Sequence, residues 1–153
     1  MWNDQRSIKL SISVTWTAIA VVAVAIVVLP LLPHVGSFGG SVLFDPVLNQ
    51  RVLPSLYVVA VPGLVALVCL LRLLGDIDRG EVFTLANVRR LRVISWCGFA
   101  IGVVCLITGT VVVASLGFLV IGVGAVFFGL LMRVVKNVID AARLIKEDND
   151  FTI

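Results

Sequence analysis

Charge is scarce in this chain. Asp, Glu, Lys and Arg make up only 14% of the 153 residues, where a soluble domain carries about 25%. Too few polar residues remain for a sizeable soluble core. Histidine occurs once, as His34, with no cysteine near it. A zinc site needs three or four such ligands, so His34 reads as an exposed loop residue. The three cysteines, Cys69, Cys97 and Cys105, show no C-x-x-C spacing and all fall in apolar runs. There a free thiol behaves as a small hydrophobe, and neither a redox pair nor a metal site is supported. No G-x-x-x-x-G-K-[ST], H-E-x-x-H or G-x-S-x-G occurs, so the local devices for phosphate, catalytic zinc and a serine nucleophile are missing. The sequence supports no enzyme, cofactor or catalytic residue.

What is present is hydrocarbon-compatible chain: 60% of residues are hydrophobic, gathered into four runs. A bilayer core requires about 20 apolar residues per helix. The first run, residues 12–32, outlasts the ~7–15-residue apolar region of a signal peptide, and is expected to remain as an uncleaved span. The second, 52–71, holds Pro62, where a missing N–H should kink the helix. The third and fourth, 93–114 and 118–135, are separated by Ser115-Leu116-Gly117, a turn short enough to force antiparallel neighbours. Gly98, Gly102, Cys105 and Gly109 recur at steps of three and four on one of these runs, and Gly122, Ala125 and Gly129 on the other. Such one-face stripes let helix backbones approach in lipid, and they also suit a homo-oligomer. The expected fold is an all-α membrane protein, a four-transmembrane-helix bundle in one domain over residues 1–153.

No span carries a charge away from its ends. An ionisable group in hydrocarbon marks an ion or proton path, so a proton-coupled pump and an ion pore are disfavoured. An apolar-substrate carrier is not. Lys and Arg are also distributed unevenly. Arg6 and Lys9 precede the first run, five arginines lie in 72–92, and Arg133, Lys136, Arg143 and Lys146 close the chain. The opposite side holds only Arg51. The positive-inside rule then places both termini and the 72–92 loop in the cytoplasm of a multi-pass inner or plasma membrane protein. The same asymmetry accounts for the net charge of +3 without invoking nucleic acid.

The 72–92 loop is the longest polar stretch between two apolar runs. Gly75 and Gly80 are expected to break the helix on either side of Asp76–Arg79. Thr84 has the chemistry of a helix N-cap, with Phe83 and Val88 spaced as a hydrophobic staple. Asp76, Asp78 and Glu81 among five arginines read as solvated ion pairs rather than a metal site. The cluster Arg89, Arg90 and Arg92 suits anionic lipid or a cytoplasmic protein. Residues 136–153 should prolong the fourth helix as an amphipathic extension. Val134, Val138, Ala141 and Ile145 line one face, and Lys136–Asp140 and Arg143–Glu147 pair at i,i+4 on the other.

Gly80-Glu81-Val82-Phe83-Thr84, then Asn87-Val88, then Arg90-Leu91-Arg92 with Ile94, form a pattern that resembles the YoaS-like family of small bacterial membrane proteins of unknown function. The tail Lys146-Glu147-Asp148-Asn149-Asp150-Phe151-Thr152-Ile153 is similar to that family's ending, with Phe151 in place of an aliphatic residue. The resemblance implies four spans, no enzymatic activity and a gene commonly beside that of a small helix-turn-helix regulator. On that basis Phe83, Thr84, Asn87, Arg89, Arg90, Arg92, Asn149 and Asp150 are candidate contacts to a cytoplasmic partner, a small DNA-binding regulator. Phe83 and Thr84 would fix the loop. Asn87 and Arg90 would face the tail or the partner, Asn87 bonding Asp150 or a backbone carbonyl. The alternatives are a small transport or immunity protein and a structural subunit of a membrane complex. Besides that protein, the partners expected are the bilayer and a second copy, not nucleic acid.

Overall fold

The computed structural model describes residues 4–28, 46–112 and 115–150. They form α1 (Asp4–Val28), α2 (Pro46–Asp78), α3 (Leu85–Ile107, continued by a π-helical turn over Thr108–Val112) and α4 (Leu116–Asp150). No strand occurs among the described residues. Each helix holds a stretch long and apolar enough to cross a bilayer: Ser7–Val28, Val52–Asp78, Leu85–Val112 and Leu116–Asn149. His34 and residues 33–45 of the first connection lie outside the described residues.

Several boundaries differ from expectation. α2 takes in residues 46–51, ahead of the expected span, and 72–78, read as the start of the polar loop. Pro46 opens it, at a position whose N–H needs no helical partner. Pro54 and Pro62 both sit inside the same continuous helix. Gly75 does not break it. A lone glycine costs a helix about 1 kcal/mol, which the flanking leucines and the packing of α2 outweigh. Only Gly80, at φ +79°, ends the run. The turn between α3 and α4 also falls earlier than expected, since Leu116 and Gly117 are already helical. Ser115 stands ahead of them, its carbonyl accepting from the Leu119 N–H at 3.3 Å.

Inside the spans, hydroxyls are satisfied locally. Thr15 Oγ1 donates to the Ser11 carbonyl (2.8 Å), Thr17 to Ser13 (2.9 Å) and Thr108 to Val104 (2.8 Å). Lipid offers no alternative partner, so a polar group there must find one within the protein.

Packing follows chain order. α3 packs on α4 and on α2, α1 packs on α2, and no other helix pair meets to a comparable extent. The helices therefore do not close into the expected four-helix bundle, in which the first would also rest on the fourth. Lipid tails are as apolar as leucine, so an unclosed face is not penalised as it would be in water. Burial shows the same asymmetry. Of the most apolar stretch of α3, 44% is buried, against 6% in α1 and α2 and 11% in α4.

Neighbouring helices run antiparallel. Tyr57 Oη, near the start of α2, donates to the Ile26 carbonyl near the end of α1 at 3.0 Å. At the other end, Ser7 and Leu10 of α1 share a cleft with Leu70 and Leu74 of α2. The start of α1, the α2–α3 connection and the end of α4 thus lie at one end of the molecule.

Candidate functional site

The α2–α3 connection is only six residues, 79–84, and it is tied down at both ends by hydrogen bonds. α2 ends in a Schellman motif. The Gly80 N–H donates to the Ile77 carbonyl at 3.0 Å and the Glu81 N–H to the Asp76 carbonyl at 2.9 Å. The motif requires a left-handed residue where Gly80 stands. At the other end Thr84 is the N-cap of α3, in extended conformation, its side chain accepting from the Asn87 N–H at 3.3 Å.

Asn87 joins these two ends. It is fully buried, with 0% exposure. Its side-chain amide donates to the carbonyls of Glu81 (2.8 Å) and Val82 (3.2 Å). Its Oδ1 accepts from Arg90 Nη1 at 2.7 Å. An asparagine amide has two N–H donors, and both are used on backbone that no helix could satisfy. Asn87 therefore turns inward and holds the loop, instead of facing a partner. Of the two acceptors considered for it, the backbone carbonyls are the ones engaged, and the side chain of Asp150 lies outside the described residues.

Arg90 completes the clamp. Its Nη1 also reaches the Asp76 carboxylate and, at 3.5 Å, the Arg72 carbonyl on α2. The pair is partly buried, at 24% and 19% side-chain exposure, so it is less screened than a surface ion pair. One guanidinium thus gathers the end of α2, the start of α3 and the loop amide. Arg90 and Asp76 are half-buried between α2 and α3, unlike the solvated network expected of this stretch.

The three clustered arginines separate because successive residues on a helix point about 100° apart. Arg89 is exposed. Arg90 faces α2. Arg92, exposed, lines a crevice with Ser95, Trp96, Arg133 and Lys136 of about 150 Å³. Around the clamp the loop shows an apolar surface: Phe83 is 44% and Leu85 54% exposed. Leu85 was not singled out from the sequence, although an apolar residue directly after an N-cap on a polar loop is a readable signal. On α4, Asn149 is exposed, and Arg143 bonds both Asp140 (3.4 Å) and Glu147 (2.6 Å). Asp140 is thus engaged three residues on, by Arg143, rather than by Lys136.

Below the loop, α3 and α4 meet backbone to backbone. A Cβ on Gly98 would lie 3.1 Å from the Gly129 Cα, and one on Gly102 2.5 Å from Val126 Cγ2 and 3.0 Å from the Gly122 carbonyl oxygen. One on Gly109 would meet the Leu119 nitrogen at 3.0 Å. Ser95 Oγ donates across the contact to the Gly129 carbonyl at 2.7 Å. Helix association in lipid rests on such close packing and interhelical bonds.

Comparison with known proteins places the chain among uncharacterised ones. It is 29% identical over 167 aligned positions to the uncharacterized membrane protein YoaS of Bacillus subtilis (strain 168), with 99% of each chain covered. No solved structure matches. The clamped hairpin, the glycine contact and α4 to its end all fall within residues 41–153, the stretch that matches the model of a protein family of unknown function. The chain is a membrane protein belonging to that family, DUF2975.

Proposed function

We propose that this is a non-enzymatic membrane protein that docks a cytoplasmic protein, a small helix-turn-helix regulator, on the hairpin between α2 and α3. The observation that carries this reading is the exposure of Phe83 and Leu85, 44% and 54%, on a loop held rigid from behind. The Asn87 and Arg90 clamp spends its hydrogen bonds internally, which leaves these apolar side chains as presentation surface. A preordered loop loses little conformational entropy on binding. Arg89, exposed beside them, supplies a charge for orientation. The cytoplasmic placement rests on the distribution of Lys and Arg.

α4 contributes a second part of the surface. At 35 residues and 1.5 Å per residue it is about 52 Å long, and a bilayer core takes up about 30 Å. Its end overhangs the hairpin side, with Val138, Leu144 and Ile145 exposed.

The test is a pull-down in mild detergent, read by mass spectrometry, comparing wild type with a Phe83→Ser/Leu85→Ser variant. A small DNA-binding protein recovered with wild type and lost from the variant is the expected result. Identical recovery from both would remove the hairpin from the reading. The carrier alternative has apolar space between α1 and α2 behind it: a cavity of about 150 Å³ lined by Val22, Ile26, Leu56 and Tyr57, and the cleft of about 470 Å³ between Leu10 and Val14 of α1 and Leu70 and Leu74 of α2. Of the two, the cleft alone reaches the ~300–1,000 Å³ usual for small-molecule sites.

A further inference from the structure

Three cations converge on one crevice, with no anionic partner among the described residues. Arg92 of α3 and Arg133 and Lys136 of α4 line it, with Ser95 and Trp96 as the remaining wall. Arg90–Asp76, Arg143–Asp140 and Arg143–Glu147 pair elsewhere, and none of the three has a carboxylate partner among the described residues. Like charges held together repel, and the cost rises as water is excluded. The backbone contact enforces the convergence. Ser95 bonds Gly129 across the helix pair, and one turn further out the same two helices put Arg92 opposite Arg133 and Lys136.

The position of the crevice identifies the anion. It lies where α3 and α4 pass from apolar to charged sequence, which is the headgroup level of a bilayer. Trp96 is 63% exposed and packs edge-on against Phe99, with ring centroids 6.2 Å apart. It lines the crevice, and its contact to Phe99 lies one helical turn further into the apolar part of α3. Tryptophan prefers this boundary, where one part of the ring is apolar and the N–H is wet. A soluble phosphate would use the cations and leave the indole unaccounted for.

We propose that this crevice binds the phosphate of an anionic phospholipid, with the acyl chains leaving over Trp96. Arg92 and Arg133 supply planar donors to the phosphate oxygens, and Lys136 adds a point charge. The site is separate from the hairpin surface, and either can fail without the other.

The experiment is native mass spectrometry of the protein released from nanodiscs of phosphatidylcholine containing phosphatidylglycerol. Wild type is expected to retain phosphatidylglycerol selectively, and Arg92→Gln/Arg133→Gln to lose about fivefold in affinity for each cation removed. Arg79→Gln/Arg89→Gln removes the same charge from the exposed hairpin and should retain the lipid. Equal losses in the two variants would show attraction to net charge and overturn the site. Inorganic phosphate, added to phosphatidylcholine nanodiscs, should not raise the unfolding temperature as phosphatidylglycerol does. If it does so equally, the crevice takes a free anion and the lipid assignment is wrong. Should the double variant fail to insert, Lys136→Gln alone carries the test, with unchanged retention counting against the proposal.

Discussion

At the scale of single residues, Asn87 shows how one side chain sets a loop. Its two amide donors answer the carbonyls of Glu81 and Val82, and its oxygen answers Arg90. Truncation would leave two carbonyls short of a donor in a part-buried site. Leaving a buried polar group unpaired costs about 1–3 kcal/mol. Asn87→Ala should therefore lower the unfolding temperature in detergent and speed proteolysis at residues 79–84. Asn87→Asp should not restore the loop, because a carboxylate keeps the shape and the bond to Arg90 but loses both donors. Unchanged melting and proteolysis in Asn87→Ala would mean the amide is not what holds the hairpin.

At the scale of elements, the α3–α4 contact gives an internal comparison. Gly102 and Gly124 are both helical glycines. A Cβ on Gly102 would collide with Val126 and the Gly122 carbonyl, whereas one on Gly124 meets nothing within 4 Å. Gly102→Ala should cost about 1–3 kcal/mol through overpacking. Gly124→Ala should be neutral or stabilising by up to about 1 kcal/mol, the difference in helix propensity. Reversible unfolding of both variants in the same micelle checks the pair, and equal effects would contradict the packing described. These elements were largely legible in the sequence. Spans, the Thr84 cap and the continuation of the last helix follow from hydropathy and local chemistry, which are short-range properties. What was not legible depends on three dimensions. Gly75 looks like a breaker until the helix around it is seen to persist. Asn87 and Arg90 look like surface residues until α2 folds back and places Asp76 beside them. The cluster Arg89, Arg90, Arg92 reads as one patch in sequence and is three environments in the fold. Lys136 and Arg133 reach Arg92 only because glycines bring their helices together.

At the scale of the whole molecule, α1 packs mainly on α2 among the described residues, and the family match begins at residue 41, just ahead of α2. Co-expression of residues 1–44 and 45–153 as separate chains should reassemble the protein, since the α1–α2 seam is the main contact that holds α1 among the described residues. Co-purification of the two fragments from membranes is the check, and failure to associate would show that the covalent link matters more than the seam. The same layout governs mutational tolerance. Three of the four helices have few fully buried residues, and at their exposed positions one aliphatic residue serves as well as another. α2 and α3 each pack on two neighbours, but α3 is the more deeply buried, and at Gly98, Gly102 and Gly109 of its buried stripe an added methyl group has nowhere to go. Variation in this chain should therefore be recorded very unevenly. A library of apolar exchanges would pass almost unnoticed over α1, and along α3 it would be rejected with the period of a helix.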